Sequence, residues 1–375
     1  MPSPTHDRAR ELVLAFGWNT TAYQILNPGI QFWFSAQGDA VVGYVPAGTR
    51  WVVAGAPVCA PERLASVAEE LEHDARRSGR RIVYFGAEGR LDALYGNGQR
   101  HARLLLGSQP MWRPAAWHGR VHSRASMRAQ LYRARNKGVE VEHWPSARAE
   151  DDPRLRRCLE EWLATRPLPP LHFLVEPETL GTLHDRSVFV AIRDGTPVGF
   201  LVASPIPARN GWLTEQFVRG INAPNGTAEL LIDAAVDWMA EHDASYVTLG
   251  LAPLSERAIA TSTPAWHDAP FWLRALLRWT RAHGRRFYHF EGLDAFKAKF
   301  APEKWEPVYA IADEPVFSPQ SLFAIASAFT SGAPIRTVAR GLWRAIRQEV
   351  AWLAESHHPA INRSTGSRTD STASP

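Results

Sequence analysis

One short pattern occurs twice in this chain. Asp39-Ala-Val-Val-Gly43-Tyr44-Val45 and Gly195-Thr-Pro-Val-Gly199-Phe200-Leu201 share a layout, and each leads into an extended run, a helix-periodic segment and another extended run. A duplicated unit of this kind restricts the fold to two similar mixed-sheet halves in tandem, an α/β (α+β) class. It also accommodates 375 residues, too many for one ordinary core, without a long structureless loop. The expected division is 1–145 and 146–315 for the two units, 316–356 for a basic helical tail and 357–375 for a disordered one.

The first copy continues through Trp51-Val-Val-Ala54, a helix opened by Pro61 and closed by Gly79, and the strand Arg81–Phe85, with strand character again at Ala102–Leu106. The second copy continues through the strand Trp212–Val218, the turn Arg219–Thr227, the helix Ala228–His242 and the strand Tyr246–Leu249. A strand that turns directly into a helix aims unpaired backbone N–H groups at the turn, which suits an anion. Asn225, Gly226 and Thr227 are therefore expected to bind a donor phosphate. Strict alternation puts Glu215 on the face of Leu213 and Phe217, with Arg219 beside the same turn.

Basic residues gather elsewhere. A helix Met127–Lys137, capped by Ser126 and ended by Gly138, carries Arg128, Arg133, Arg135 and Lys137. It is either a solvated face or a surface for the phosphates of RNA or lipid. Lys297 and Lys299, two apart, cannot share a helix face, so each has a separate function or is simply exposed. Ile335–Leu353 forms a basic amphipathic helix with Trp343 and Trp352 at its edges, suited to an anionic membrane surface or to docking on the body.

Other classes are excluded or given no support. Cys59 and Cys158 match no metal or redox spacing and are expected to be reduced thiols. No secretory signal and no run of eighteen apolar residues is present, so a cytoplasmic protein is expected, and the Ile335–Leu353 helix allows it to be peripheral on the inner face of the cytoplasmic membrane. His267 reads as a solvated loop residue. No Ser-His-Asp or Cys-His grouping points to a covalent intermediate, and no metal is implied. The formal charge of +4 permits a polyanionic partner without requiring one.

Three segments taken together carry a resemblance: Pro224-Asn-Gly-Thr-Ala-Glu-Leu-Leu231, Leu249-Gly-Leu-Ala-Pro-Leu-Ser255, and Phe290-Glu-Gly-Leu-Asp-Ala-Phe-Lys-Ala-Lys-Phe-Ala-Pro302 with Trp305, Glu306 and Tyr309. With Phe32-Trp-Phe-Ser35, Gly55-Ala-Pro57 and Arg133-Ala-Arg-Asn-Lys-Gly138, they make the chain resemble, over roughly residues 20–312, the catalytic C-terminal domain of phosphatidylglycerol lysyltransferases. That resemblance implies tandem acetyltransferase-like (GNAT) units related to Fem transferases. It also implies transfer of an aminoacyl group from aminoacyl-tRNA to a membrane lipid such as phosphatidylglycerol. Glu215 and Arg219 match the acidic residue and arginine of the family's central strand, and Lys297 and Lys299 its basic pair. The sequence departs from the family by carrying Glu where Asp is expected at position 215, and by having no multi-helix membrane half.

The expected chemistry is direct transfer with no tightly bound cofactor. Glu215, Arg219 and Lys297 are the catalytic candidates, and Asn225, Gly226, Thr227, Lys299, Arg128 and Arg135 the phosphate-binding ones. An acyl-CoA donor for an N- or O-acyltransferase is the alternative. A non-catalytic module docking on membrane or RNA is the alternative from another class.

Overall fold

The computed structural model describes residues 3–96, 100–166, 171–258, 271, 273 and 290–330. The first half runs α1 (Pro4–Phe16), β1 (Gln31–Phe34), β2 (Val41–Ala47), β3 (Arg50–Ala54), α2 (Leu64–Arg77), β4 (Arg81–Ala87), α3 (Gly89–Tyr95) and β5 (Ala102–Trp112). Next come α4 (Pro114–Val121), α5 (Ala125–Asn136), β6 (Val139–Trp144), α6 (Ser146–Asp151) and α7 (Pro153–Ala164). The second repeat supplies β7 (Ser187–Arg193), β8 (Thr196–Ile206), β9 (Gly211–Arg219), α8 (Thr227–Glu241) and β10 (Tyr246–Thr248). Then follow β11 (Ala252–Pro253), α9 (Phe290–Ala298), β12 (Lys304–Ala312) and α10 (Pro319–Phe329).

All the described strands form one twelve-stranded sheet in the order β1-β2-β3-β4-β12-β5-β10-β9-β8-β7-β6, with β11 added on β5. Every pairing is antiparallel except β3 with β4 and β9 with β10. A parallel pair needs a crossover, and α2 and α8 supply one each, so the repeat in the sequence is a repeat in the sheet. The two glycines shared by the repeat have a steric cause. A Cβ at Gly43 would lie 2.5 Å from Ile25 Cβ, and one at Gly199 would lie 2.7 Å from the Val218 carbonyl oxygen.

The halves exchange their last strands. β5 follows β4 in the chain but pairs with β10, and β12 follows β10 but pairs with β4, the two lying side by side between them. In the first half α2 covers one sheet face through Leu71 and Ala75, while α1 and α10 cover the other through Leu12, Val13, Ala324 and Ile325. In the second, α4, α5 and α8 pack Trp117, Leu131 and Leu231 on one face, and α7 packs Leu155 and Leu159 on the opposite one.

Several elements differ from the sequence reading. β5 continues past Leu106 through Gly107-Ser-Gln-Pro110, residues that argue against a strand. It persists because it lies mid-sheet with its polar side chains satisfied: Ser108 Oγ donates to Ser255 Oγ at 2.8 Å and Gln109 Nε2 to Thr20 Oγ1 at 2.9 Å. Helix α1 is not expected from its polar composition. Ser3 caps it by accepting from the His6 N–H, Pro4 opens it, and only Ala9, Leu12 and Val13 are buried. Phe290, expected to end a strand, opens α9. The remainder of that strand, all of the expected helix Phe271–His283 except Phe271 and Leu273, His267, the Ile335–Leu353 helix and the tail 357–375 lie outside the described residues. No described helix is long and apolar enough to cross a membrane.

Candidate active site

The β8–β9 register shifts between Val202 and Ala203: Gln216 faces Val202, Thr214 faces Ala203, and Glu215 is the extra residue of a β-bulge. The bulge corrects the expected alternation. Phe217 stacks on Phe296 at 5.6 Å on the α8 side, whereas Glu215 and Gln216 both turn to the opposite face. There Gln216 Oε1 accepts from Thr179 Oγ1 at 2.6 Å, and Glu215 accepts two bonds from Arg186, at 2.8 Å from Nε and 3.1 Å from Nη2. Arg186 also donates to Asn27 Oδ1 at 3.2 Å and lies 4.9 Å over the Tyr23 ring. Burial acts to lower the guanidinium's pKa, but Glu215 outweighs it and the net shift is upward. Glu215 is therefore a buried, paired carboxylate tying the bulged strand to the N-terminal segment. Sequence reasoning missed Arg186, which sits in a loop with no motif around it.

The turn after β9 is closed from within. Arg219 donates to the Ala223 carbonyl at 2.9 Å and to Asn225 Oδ1 at 3.0 Å, and Thr227 Oγ1 donates to the Pro224 carbonyl at 2.8 Å. Gly226 has φ of 96°, and a Cβ there would lie 2.2 Å from the Gln130 carbonyl oxygen. Helix α5 therefore sits directly against the start of α8, with Thr227 buried beneath it. Arg128 turns back to donate to the His122 and Ser123 carbonyls at 2.7 and 2.9 Å, closing the end of α4. Arg135 reaches Asp233 Oδ2 at 3.4 Å, yet its side chain is still 55% exposed.

Lys297 and Lys299 diverge, as their spacing requires. Lys299 Nζ pairs with Glu229 Oε1 at 2.5 Å and lies 3.8 Å over the Phe296 ring. Lys297 is 3% exposed, and its Nζ donates to the Gly250 and Leu251 carbonyls, both at 2.8 Å, just past the carboxyl end of β10. Burial lowers its pKa to about 7, against the opposing pull of Asp294 one helical turn earlier. Asp294 is held by Ser255 Oγ at 2.7 Å and Arg257 Nε at 2.8 Å, so Ser255, Arg257 and Asp294 form a polar frame around the amine. The sequence signal for this frame is Leu249–Ser255, which carries the family resemblance without a role for its residues. The structure thus gathers Lys297 with the turn after β10, and places Lys299, just past α9, against Glu229 of α8 and Glu215 on the opposite sheet face.

A neutral amine with both hydrogens committed to carbonyls has its lone pair directed elsewhere; once protonated, its third N–H points the same way. Such a group can take a proton from a hydroxyl and then stabilise developing negative charge.

The family model for the C-terminal part of phosphatidylglycerol lysyltransferase matches residues 10–312, well over half of the chain. The chain belongs to the phosphatidylglycerol lysyltransferase C-terminal family. A curated member, phosphatidylglycerol lysyltransferase of Bacillus subtilis (strain 168), is 24% identical over 283 residues, covering 74% of this chain and 32% of that protein. The chain thus spans about a third of the length of the curated relative it matches. Among solved structures, the C-terminal domain of a putative lysylphosphatidylglycerol synthetase from Agrobacterium fabrum superposes with a TM-score of 0.71 at 23% identity, covering 88% of this chain and 98% of that one. L-PGS from Bacillus licheniformis does so with 0.71 at 21% identity, covering 87% and 96%. These likenesses establish the fold, and the mixed α/β class expected from the sequence holds.

Two groups of possible metal ligands occur among the described residues, Glu72 with His101 and Asp313, and His122 with Asp233 and Asp237. Both contain carboxylates already paired with arginine. Arg76 reaches Asp313 at 2.9 Å, and Asp233 takes bonds from Trp117 at 3.1 Å and Arg135 at 3.4 Å. Glu72, Asp313 and Asp233 are thus held by protein donors between packed elements.

Proposed function

We propose that this family member moves an aminoacyl group from aminoacyl-tRNA to a hydroxyl of an anionic lipid of the phosphatidylglycerol type. Family membership supplies the substrate classes, and the observation that carries the chemistry is the amine of Lys297 held by the Gly250 and Leu251 carbonyls with a pKa near 7. In the step envisaged, the lipid hydroxyl oxygen attacks the aminoacyl ester carbonyl while Lys297 takes its proton. The tetrahedral oxyanion collapses, the ester bond to the tRNA ribose breaks, and the proton returns to the departing ribose oxygen. No net proton is consumed and no covalent enzyme intermediate forms. Positioning by the protein supplies the remainder of the acceleration.

Within this reading Glu215 and Arg219 position rather than react: the first through Arg186, the second by closing the turn into α8. Arg135 and the α5 surface offer cations for tRNA or lipid phosphates, and Lys299 sits beside them at Glu229. Association with the inner face of the cytoplasmic membrane belongs to the same proposal.

The test supplies lysine-charged tRNA with a labelled amino acid, phosphatidylglycerol vesicles and the purified chain, then counts label in the lipid fraction. Transfer that requires charged tRNA supports the reading. Label entering lipid or amine acceptors from acyl-CoA instead, or none from any charged tRNA, contradicts it.

A further inference from the structure

Of the 42 lysines and arginines in the chain, four are lysine: Lys137, Lys297, Lys299 and Lys304. In a chain that takes nearly all its positive charge from arginine, a buried lysine stands where a guanidinium would not serve, because only the amine can give up its proton. A buried ammonium ordinarily closes on the nearest carboxylate. For Lys297 that carboxylate is Asp294, three residues earlier on α9, a spacing at which side chains of opposite charge meet on a helix. The two are nevertheless not paired: Lys297 Nζ donates to the Gly250 and Leu251 carbonyls, and both oxygens of Asp294 accept from other residues.

Oδ1 takes the proton of Ser255 Oγ and Oδ2 that of Arg257 Nε, so one short stretch after β11 clamps the carboxylate from both sides. The stretch is itself pinned to the sheet. Ala252 and Pro253 pair with Ser108 and Gly107 of β5, where a Cβ on Gly107 would lie 2.2 Å from the Ala252 carbonyl oxygen. Leu254 is held at a φ of 58°, in the left-handed region that a bulky side chain avoids, and its N–H donates to the Leu106 carbonyl at 2.7 Å. Such strain persists only where the surroundings over-determine it, and here it delivers Ser255 to Asp294. Ser255 is buried and accepts from Ser108 Oγ, which leaves its own proton for Asp294. Arg257 rests 5.3 Å from the Trp305 ring centre on β12.

We propose that Ser255 and Arg257 are positioning residues: by occupying both oxygens of Asp294 they keep that carboxylate off Lys297 Nζ and leave the amine's third position open to the attacking hydroxyl. This rests on Lys297 as the proton acceptor of the transfer. A carboxylate that reached Nζ would fill the position and hold the amine as ammonium, which cannot take a proton. Arg257 contributes more than Ser255, because its charge also offsets that of Asp294. The other cation close in the chain, Lys299, is taken up by Glu229 of α8.

Carbon-13 NMR of the full chain labelled at the lysine ε-carbons tests this without any substrate. Four lysines give four signals, and Lys297→Met identifies the one that titrates at about 7 in the wild type. In Arg257→Met the freed carboxylate oxygen should raise that titration by about one pH unit or more, and the acid limb of the transfer rate should rise with it, about a fivefold loss near pH 7 that is regained at higher pH. Adding Asp294→Asn to Arg257→Met should bring the titration back to the wild-type value or below. A folded Arg257→Met that titrates like the wild type, or a double variant that keeps the raised value, overturns the proposal. If Arg257→Met melts lower, Ser255→Ala is measured instead: an upward shift, cancelled by Asp294→Asn, upholds the proposal and no shift overturns it. A titration that moves while the pH profile of transfer stays put upholds the placement of Asp294 and rejects Lys297 as the proton acceptor.

Discussion

Glu215 and Arg186 form a two-point ion pair, 2.8 and 3.1 Å between their atoms, with both side chains about 5% exposed or less. Removing one partner of such a pair strands a charge. Glu215→Gln is predicted to destabilise the fold by about 3–5 kcal/mol in urea denaturation, whereas the double change Glu215→Leu with Arg186→Met costs markedly less. Single and double variants of equal stability would show that the pair is not closed in solution.

Gly226 tests the contact between α5 and α8. Its φ of 96° and the 2.2 Å that would separate an alanine Cβ from the Gln130 oxygen leave a side chain no room. Gly226→Ala should cost about 2–4 kcal/mol, through left-handed strain of about 1–2 kcal/mol plus displacement of α5. A loss under about 0.5 kcal/mol would mean the helices are not in contact there.

Arg209 joins the halves. It donates to Glu88 at 2.5 Å and Glu306 at 3.0 Å, and Tyr246 adds a 2.8 Å bond to the same Glu306 oxygen. Arg209→Met leaves Glu88 buried without its cation. The variant should lose about 3–5 kcal/mol at neutral pH and recover part of that as the pH falls and the carboxyl protonates. A deficit that does not change with pH would refute this description.

Much of this was legible in the sequence, and the remainder fails for identifiable reasons. The repeated Val-Gly-aromatic pattern located both β2 and β8, because the pattern reports local alternation and a close backbone approach. Two-residue spacing correctly separated Lys297 from Lys299. Alternation misplaced Glu215, since a bulge depends on the register with a neighbouring strand that the residue itself does not encode. Arg186, Arg209 and Glu88 were unreadable for a related cause: each acquires its role from partners far away in the chain. The strand exchange of β5 and β12 was equally hidden, as hydrophobic pattern specifies a strand but not its neighbour.

The pKa of Lys297 also fixes a stability trend. Its folded value of about 7 is below the ordinary 10.5, so between those pH values the unfolded chain holds a proton that the folded chain has released. Stability from this group therefore rises with pH across that window, by at most about 1.4 kcal/mol per unit, and Lys297→Met should abolish the rise. Parallel stability–pH curves for the two proteins would place the amine in solvent.

The most direct measurement is the pH dependence of single-turnover transfer from lysine-charged tRNA to phosphatidylglycerol. With Lys297 as the proton acceptor, the rate climbs through an apparent pKa near 7 to a plateau, and Lys297→Met loses about 10²–10⁴-fold while remaining folded. A folded Lys297→Met protein that keeps the wild-type rate and the same acid limb would contradict the account.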